Sequence, residues 1–429
     1  MKVVFTHANL FDGTEHTELR KDVSVYVDGE KIVSVEPGSK PLHSGSREID
    51  LTGKYLMPGL VNLHAHLFGD GTPSEILGGG ESQKKFLDSL KTQAGMDAFV
   101  ATVRKNTQQA LYSGVTTVRG VGDFCYSDVR VRDEINSGKT AGPRLLVAGP
   151  AITCKGGHGD GFFSVSSDDP EELKKIVREH VDHHVDLIKI CVTGGVMDAK
   201  KRGEPGEVKM TLAQVKAVCD MAHSLGLKVA SHTESTPGIE MDLQGGVDTV
   251  EHGSSLTPEM IDLFRKNGSS ITLTLSPAIP LAKLPVSITK LNEFCVYNSD
   301  VLVKKMVEGS KQALAAGIPV GLGTDCSCPL DPPYNMWREV RGFAKYCGVS
   351  NAFALQTATL GDAKIAGVGD ITGSVEPGKE ADLIVTEKNP LEDLTALRDV
   401  TMVMARGSLI EHPAVQKNKK MEELLDTIF

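Results

Sequence analysis

The chain contains no apolar run of ~18 residues, the length a helix needs to cross a bilayer, so a membrane-spanning helix is excluded. Its opening residues carry one cation and a very short apolar stretch before His7, too little for the apolar core of a secretory signal. A basic tract is missing too. Cations gather only in short groups, such as Lys417, Lys419 and Lys420 near the tail, and the formal net charge is -10. A nucleic-acid partner needs a basic face, so none is expected. The eight cysteines are scattered, and Cys326 and Cys328 have no second pair to complete a thiolate zinc site. Such usage suits reduced thiols, and together with the missing signal it sets the expectation of a cytoplasmic protein. Neither an internal repeat nor a low-complexity stretch interrupts the chain.

What is present fits a globular protein of more than one unit. The apolar share is 40% and the charged share 24% over 429 residues, room for a barrel of ~250 residues or more plus a smaller module. Both ends read as short strands. Lys21-Asp-Val-Ser-Val-Tyr-Val27 alternates polar and apolar residues and meets a turn at Asp28-Gly29. Ala381-Asp-Leu-Ile-Val-Thr386 and Val400-Thr-Met-Val-Met-Ala405 repeat the pattern near the end. Between them, apolar runs alternate with helical segments. The runs at 59–66, 115–119, 144–148, 187–193, 227–232, 249–252, 270–274 and 320–325 supply eight strands. The expected fold is therefore α/β: a (β/α)₈ TIM-type barrel over residues 58–365, with a small β-sandwich domain built from residues 1–57 and 366–429.

Chemistry in such a barrel gathers at the C-terminal ends of the strands. His64 and His66 end the first run, His232 the fifth, His252 the sixth and Asp325 the eighth, while Lys189 lies within the fourth. His64 and His66 are two apart, so their side chains share one face of a strand. Taken alone, that pair reads as two satisfied polar histidines. Five such placements at matching strand ends make a metal site the better reading. Lys189 stands in the apolar run Asp186-Leu-Ile-Lys-Ile-Cys-Val192. Burying it is costly unless it is paired, neutral or modified. It either reaches a barrel carboxylate or solvent, or, as a neutral amine, captures carbon dioxide to give a carbamate able to bridge two cations.

The run Met57-Pro-Gly-Leu-Val-Asn-Leu-His-Ala-His66 resembles the first strand of the amidohydrolase superfamily. Val250-Glu-His-Gly253, Gly323-Thr-Asp325 and Gly373-Ser-Val-Glu-Pro-Gly-Lys-Glu-Ala-Asp-Leu-Ile-Val385 are similar to it as well, in order along nearly the whole chain. The nearest look is to the imidazolonepropionase-related branch that includes metal-dependent Xaa-Pro and Xaa-Arg/Lys dipeptidases, and Gly156-Gly-His-Gly-Asp160 strengthens it. The resemblance implies two divalent cations, zinc by preference. His64, His66 and Asp325 would hold one, His232 and His252 the other, and carboxylated Lys189 would bridge them. Imidazolonepropionases work with one metal and lack that lysine, so Lys189 points to the dipeptidase-like members. The implied reaction is amide hydrolysis of a small-molecule substrate, a dipeptide or an N-acyl amino acid, by hydroxide held between the cations, with Asp325 as general base.

Substrate contacts are read from position. His158, in its Gly-rich loop, is expected over the barrel mouth as a catalytic and substrate-binding residue. Arg119, just after the second strand, is expected there as a cation, or else in a structural ion pair. The dipeptidase branch often has a tyrosine two residues after the strand-five histidine, where it meets the substrate carboxylate. Here that position is Glu234, which would repel a carboxylate and suit a cationic or neutral group. Alternatives are a cyclic-amide or xenobiotic amidase on the same metals, or an inert small-molecule-binding relative. An assembly of identical chains is expected, with no membrane partner. His7, His16, His43, His183, His184 and His412 are expected in surface or structural roles, and residues 68–85, rich in glycine, as a mobile loop over the substrate.

Overall fold

Strands form where β-branched and apolar residues alternate or run together, and both patterns are realised in the computed structural model, which describes residues 2–15, 18–38, 45–203 and 205–429. His16 and His43 lie outside the described residues. The strands near the two ends form one eight-stranded sheet. Its seam joins the termini: Tyr55–Pro58 pairs antiparallel with Leu383–Thr386, with Leu383 opposite Pro58 and Thr386 opposite Tyr55. The inward residues, among them Phe5, Val25, Ile32, Leu56, Leu383 and Met404, form a core separate from that of the barrel. This is the sandwich domain that the alternation predicts.

The barrel strands are Leu60–Ala65, Val115–Gly120, Arg144–Leu146 continued as Ala151–Thr153, Leu187–Cys191, Lys228–Thr233, Thr249–His252, Ser270–Leu273 and Val320–Leu322. Every neighbouring pair is parallel. The third strand breaks where Gly149 and Pro150 fall, and Asp186 spans the break. Its amide donates to the Val147 carbonyl at 2.8 Å, and its carboxylate accepts from the Val147 amide at 2.9 Å. The crossover helices start on signals in the sequence. Asp169 caps Pro170–Asp182, and Thr211 with Gln214 forms a reciprocal capping box on Leu212–Ser224.

Closure of the barrel takes place at the histidines themselves. The Asp325 amide donates to the His64 carbonyl at 2.7 Å, and the His66 amide to the Cys326 carbonyl at 3.2 Å. The last strand can come this close because residue 323 is glycine: a Cβ there would sit 2.4 Å from the His64 Cβ. The segment expected to be a mobile cover is more ordered than that. It contains a short 3₁₀ turn, Glu75–Gly78, and the start of helix Gly80–Leu90. Its first part is tied down by Gly69 donating to Ser327 Oγ at 2.7 Å and by Leu330 donating to the Gly71 carbonyl at 2.7 Å. Consecutive polar glycine-rich residues read as a loop, but the pattern 80–90 carries enough helix formers to continue as a helix.

The last helix, Lys419–Asp426, returns to the barrel and adds Met421 and Leu425 to its core. It is held by Arg338 of helix Met336–Cys347, fully buried against the Trp337 ring at 4.4 Å. Arg338 donates to Glu422 at 2.9 and 3.1 Å and to Asp426 at 2.7 Å. Removing one partner of a buried, hydrogen-bonded ion pair strands the other charge. Arg338→Ala is expected to cost about 3–5 kcal/mol, read as a clear fall in the denaturation midpoint, while Arg341→Ala nearby leaves it within about 0.5 kcal/mol.

Candidate metal centre

Asn62, His64 and His66 share the inward face of the first strand, as the two-residue period requires. Thr249 and Glu251 share the inward face of the sixth, where the Thr249 hydroxyl donates to Glu251 at 2.7 Å. By the same alternation, His252 should face the outer helices. Its backbone instead takes a left-handed conformation, φ 68°, and the ring lines the barrel mouth. Asp325 takes the same turn at φ 57°. Left-handed backbone at non-glycine residues costs of order 1–3 kcal/mol and gathers where function holds it in place.

The hydrogen bonds fix which nitrogen of each ring faces inward. His66 Nδ1 lies 2.8 Å from the Gly122 carbonyl, which can only accept, so Nδ1 carries the proton. His64 Nδ1 donates to Glu251 Oε2 at 2.7 Å. In both rings Nε2 is left with its lone pair, and each Nε2 is 3.2 Å from Asp325 Oδ1. Three electron-pair donors facing one another repel unless a cation lies among them, and 3.2 Å suits neighbouring ligands each ~2.0–2.2 Å from one ion. The donor atoms of these three residues lie within 4.8 Å of one another, a grouping that could hold a metal ion.

His232 and His252 form a second group beside it. His232 Nδ1 and His252 Nε2 are 2.9 Å apart, a separation that serves an N–H···N bond or two ligands of one cation. His252 Nδ1 is held by Thr274 Oγ1 at 2.7 Å. Burial pushes both imidazoles well below their usual pKa, so they are neutral, the state that binds metal. The His64 and His252 rings are 4.8 Å apart, which joins the two groups. Lys189 faces the same cavity, only 2% exposed, and its Nζ makes no hydrogen bond among the described residues. Burial pushes its pKa down, against the pull of Glu251 and Asp325. A buried amine without a hydrogen-bond partner among the described residues, amid electron-pair donors, fits a site that a further group completes.

Arg119 takes the second of its two expected roles, a structural ion pair, and not a place over the mouth. The second strand runs on to Gly120, so Arg119 points into the barrel interior beneath the site, not over its mouth. Its guanidinium is used up there by Leu63 O at 2.6 Å, Glu251 Oε1 at 2.7 Å, and the Thr249 and Thr272 hydroxyls at 3.1 Å each. Glu251 is the residue that sequence reading passed over. Fully buried, it links Arg119 to His64, and although burial opposes its charge, Arg119 and His64 keep its carboxyl below the usual range. A charged residue in a four-residue strand, two after an inward threonine, was the available signal.

His158 and Glu234 do line the cavity. The His158 ring stacks on His232 at 4.2 Å and 14°. Gly195 makes room for the pair, since a Cβ there would meet His158 at 2.9 Å. Glu234 Oε1 is 3.8 Å from His232 Nε2. Cys328 also lines the cavity and donates its thiol to Asp325 Oδ2 at 3.5 Å, a contact the sequence did not reveal. Phe68, Phe163, Leu281 and Leu302 contribute to largely apolar walls. Of the other histidines, His183 stacks on Tyr126 at 3.7 Å and His7 pairs with Asp22 at 2.8 Å, both away from this cavity.

Residues 55–410 match the family described as the Amidohydrolase family. A solved structure from Bifidobacterium longum, described provisionally as a prolidase, is 35% identical, with a TM-score of 0.87 over 100% of this chain and 98% of that one. A Xaa-Pro dipeptidase solved with methionine in its active site is 29% identical, with a TM-score of 0.82 over 96% of this chain and 100% of that one. Ochratoxinase of Aspergillus niger is 24% identical over 392 residues, which is 84% of this chain and 76% of that protein.

The floor contacts generate a test that needs no substrate. Glu251→Gln keeps the shape but weakens the bond that sets the His64 tautomer, so metal affinity should fall ~10–100-fold, measured by competition with a chromogenic chelator. Unchanged affinity would show that His64 is oriented without its carboxylate.

Proposed function

The chain belongs to the amidohydrolase family, and from that premise we propose that it hydrolyses an amide C–N bond in a small molecule of dipeptide size at a centre of two divalent cations, zinc by preference. The observation that carries the two-cation reading is Lys189, buried and unpartnered beside both imidazole groups. His64, His66 and Asp325 would hold one cation and His232 with His252 the other. The Lys189 amine, whose pKa burial lowers, would in its neutral form attack the carbon of carbon dioxide, forming an N–C bond and releasing one proton, to leave a carbamate able to ligate the cations. Bound there, the cations supply a water acidified from pKa ~15.7 towards ~7 and polarise the scissile carbonyl.

The remaining work falls to side chains of this protein. The Asp325 carboxylate is positioned by the Cys328 thiol on one oxygen and faces the imidazoles with the other. It takes a proton from the attacking water and passes it to the leaving nitrogen, which departs as a neutral amine. His158, fixed by its stack on His232, donates a hydrogen bond to the carbonyl oxygen as negative charge gathers there. The apolar walls keep bulk water from the reacting atoms and accept hydrophobic substituents.

A second reading, a cyclic-amide or xenobiotic amidase on the same centre, is favoured by those apolar walls. A screen of dipeptides, N-acyl amino acids and cyclic amides separates the two. Turnover confined to cyclic amides would remove the dipeptide reading and leave the metal chemistry in place.

Lys189→Ala is expected to lower bound zinc from two ions per chain to one or none and to cut kcat/KM at least ~10³-fold, a loss of several kcal/mol of transition-state stabilisation. Metal analysis and steady-state kinetics check both. A variant that keeps two ions and full turnover would defeat the assignment.

A further inference from the structure

One wall of the cavity is apolar and is assembled from separate pieces of chain. The 3₁₀ turn Val196–Asp198, in the loop after the fourth strand, supplies Val196 and Met197. Helix Leu275–Lys283, after the seventh strand, supplies Leu281. Both pack on helix Glu293–Ala315, which adds Leu302. A wall that includes a loop holds its shape only if the loop is tied down.

The ties run along one stripe of that helix. Asn292, Cys295, Asn298 and Leu302 are three or four residues apart, so they share a face. Asn292 Nδ2 donates to the Ala199 carbonyl at 3.3 Å, and the Cys295 thiol donates to the Val196 carbonyl at 3.3 Å. Asn298 uses both ends of its carboxamide. Its Nδ2 donates to the Lys201 carbonyl at 3.0 Å, and its Oδ1 accepts from the Gly203 amide at 2.9 Å. On the outer side, Arg202 lies over the Tyr297 ring at 5.8 Å. Asn298 is fully buried, whereas Lys200, Lys201 and Arg202 are exposed. Both side-chain bonds of Asn298 go to the loop, so a carboxamide at this helical position serves the loop and not the helix. One turn further along, Leu302 meets the cavity.

We propose that Asn298 is a positioning residue: it fixes the loop after the fourth strand and so shapes a subsite for a branched-alkyl group of the substrate, bounded by Val196, Met197, Leu281 and Leu302. The inference rests on the amide-hydrolase reading for the molecule that carries this group, and on the cavity wall alone for the apolar preference. Without Asn298, the Lys201 carbonyl and the Gly203 amide lose their buried partner and turn to water. The wall then loses the fixed contacts that reward a close-fitting alkyl group.

The zinc-loaded protein is tested in two ways. Lys200, Lys201 and Arg202 make the loop its own reporter, because trypsin cleaves after them once the loop leaves the helix. Binding is followed by calorimetry with 4-methylpentanamide and acetamide, which share the carboxamide and differ in a branched-alkyl group. The wild type should bind the larger amide at least ~10-fold more tightly. Asn298→Leu, similar in size but without the carboxamide, should be cut in the loop at least ~10-fold faster and bring that preference within ~3-fold, with zinc content unchanged. Asn298→Asp, which keeps the acceptor for Gly203 and loses the donor for Lys201, is read in the same way and should fall between. Met197→Ala, which leaves the ties intact, should resist trypsin like the wild type and lose the preference at least ~3-fold. Equal wild-type affinity for the two amides, or an unchanged preference in Met197→Ala, would remove the subsite even if amides are hydrolysed. Asn298 variants that resist trypsin like the wild type, or that are cut quickly yet keep the preference, would remove the role of Asn298. A preference that depends on Asn298 and Met197, without turnover of any amide, would uphold the proposal and remove the hydrolase reading.

Discussion

One buried carboxylate organises this molecule from below. Glu251 sits in the barrel interior with Arg119 on one oxygen and His64 on the other, at 2.7 Å each. An isolated ion at that depth would be prohibitively desolvated, so the pair persists only because nearly every donor and acceptor around it is matched. Arg119 reaches the first strand at Leu63, the sixth at Thr249 and the seventh at Thr272, and ties them across the barrel. The same carboxylate decides which nitrogen of His64 faces the mouth. Packing of the floor and chemistry of the mouth therefore share one hydrogen bond.

Above that floor the backbone departs from regular strand geometry where the side chains must converge. A strand presents alternate residues to one face, so Glu251 and His252 could not both point inward on regular backbone. The left-handed turn at His252 resolves the conflict and lets adjacent residues serve the floor and the mouth. Asp325 does the same on the eighth strand, where its amide also closes the barrel onto His64. The closing hydrogen bonds and the candidate ligands are thus the same few residues.

This division explains what could be read from sequence. The eight strands and the paired terminal strands were legible because apolar run, alternation and turn residues are local signals. His64, His66, Lys189, His232, His252 and Asp325 were legible because strand ends in a barrel converge; the structure brings five of them to one cavity and sets His64 against Asp325 beside it. For Arg119 the choice between mouth and floor turns on the end of its strand. Ending the strand before Gly120 puts the guanidinium over the mouth, and carrying it through Gly120 puts it in the floor. Glu251 was present in the Val-Glu-His motif but carried no role until its partners, 132 and 187 residues away in sequence, were brought together by the fold. The thiol contact of Cys328 to Asp325 depends on a tight loop after the eighth strand, with Ser327 at φ 88° and Leu330 at φ 69°, which no periodicity announces.

The charge distribution gives the site its chemical bias. Glu251, Asp325 and Glu234 are buried or nearly so, and Arg119 is the one guanidinium among them. Burial pushes the His232 and His252 imidazoles well below their usual pKa and lowers that of Lys189. A protein interior does not tolerate that excess of negative charge unless cations enter it. A carbamate on Lys189, as proposed, would deepen the excess by one more charge and so favour a second divalent ion close to the first. Glu251 and Asp325 are committed to the imidazoles, so the floor and the mouth together would hold and balance the metals.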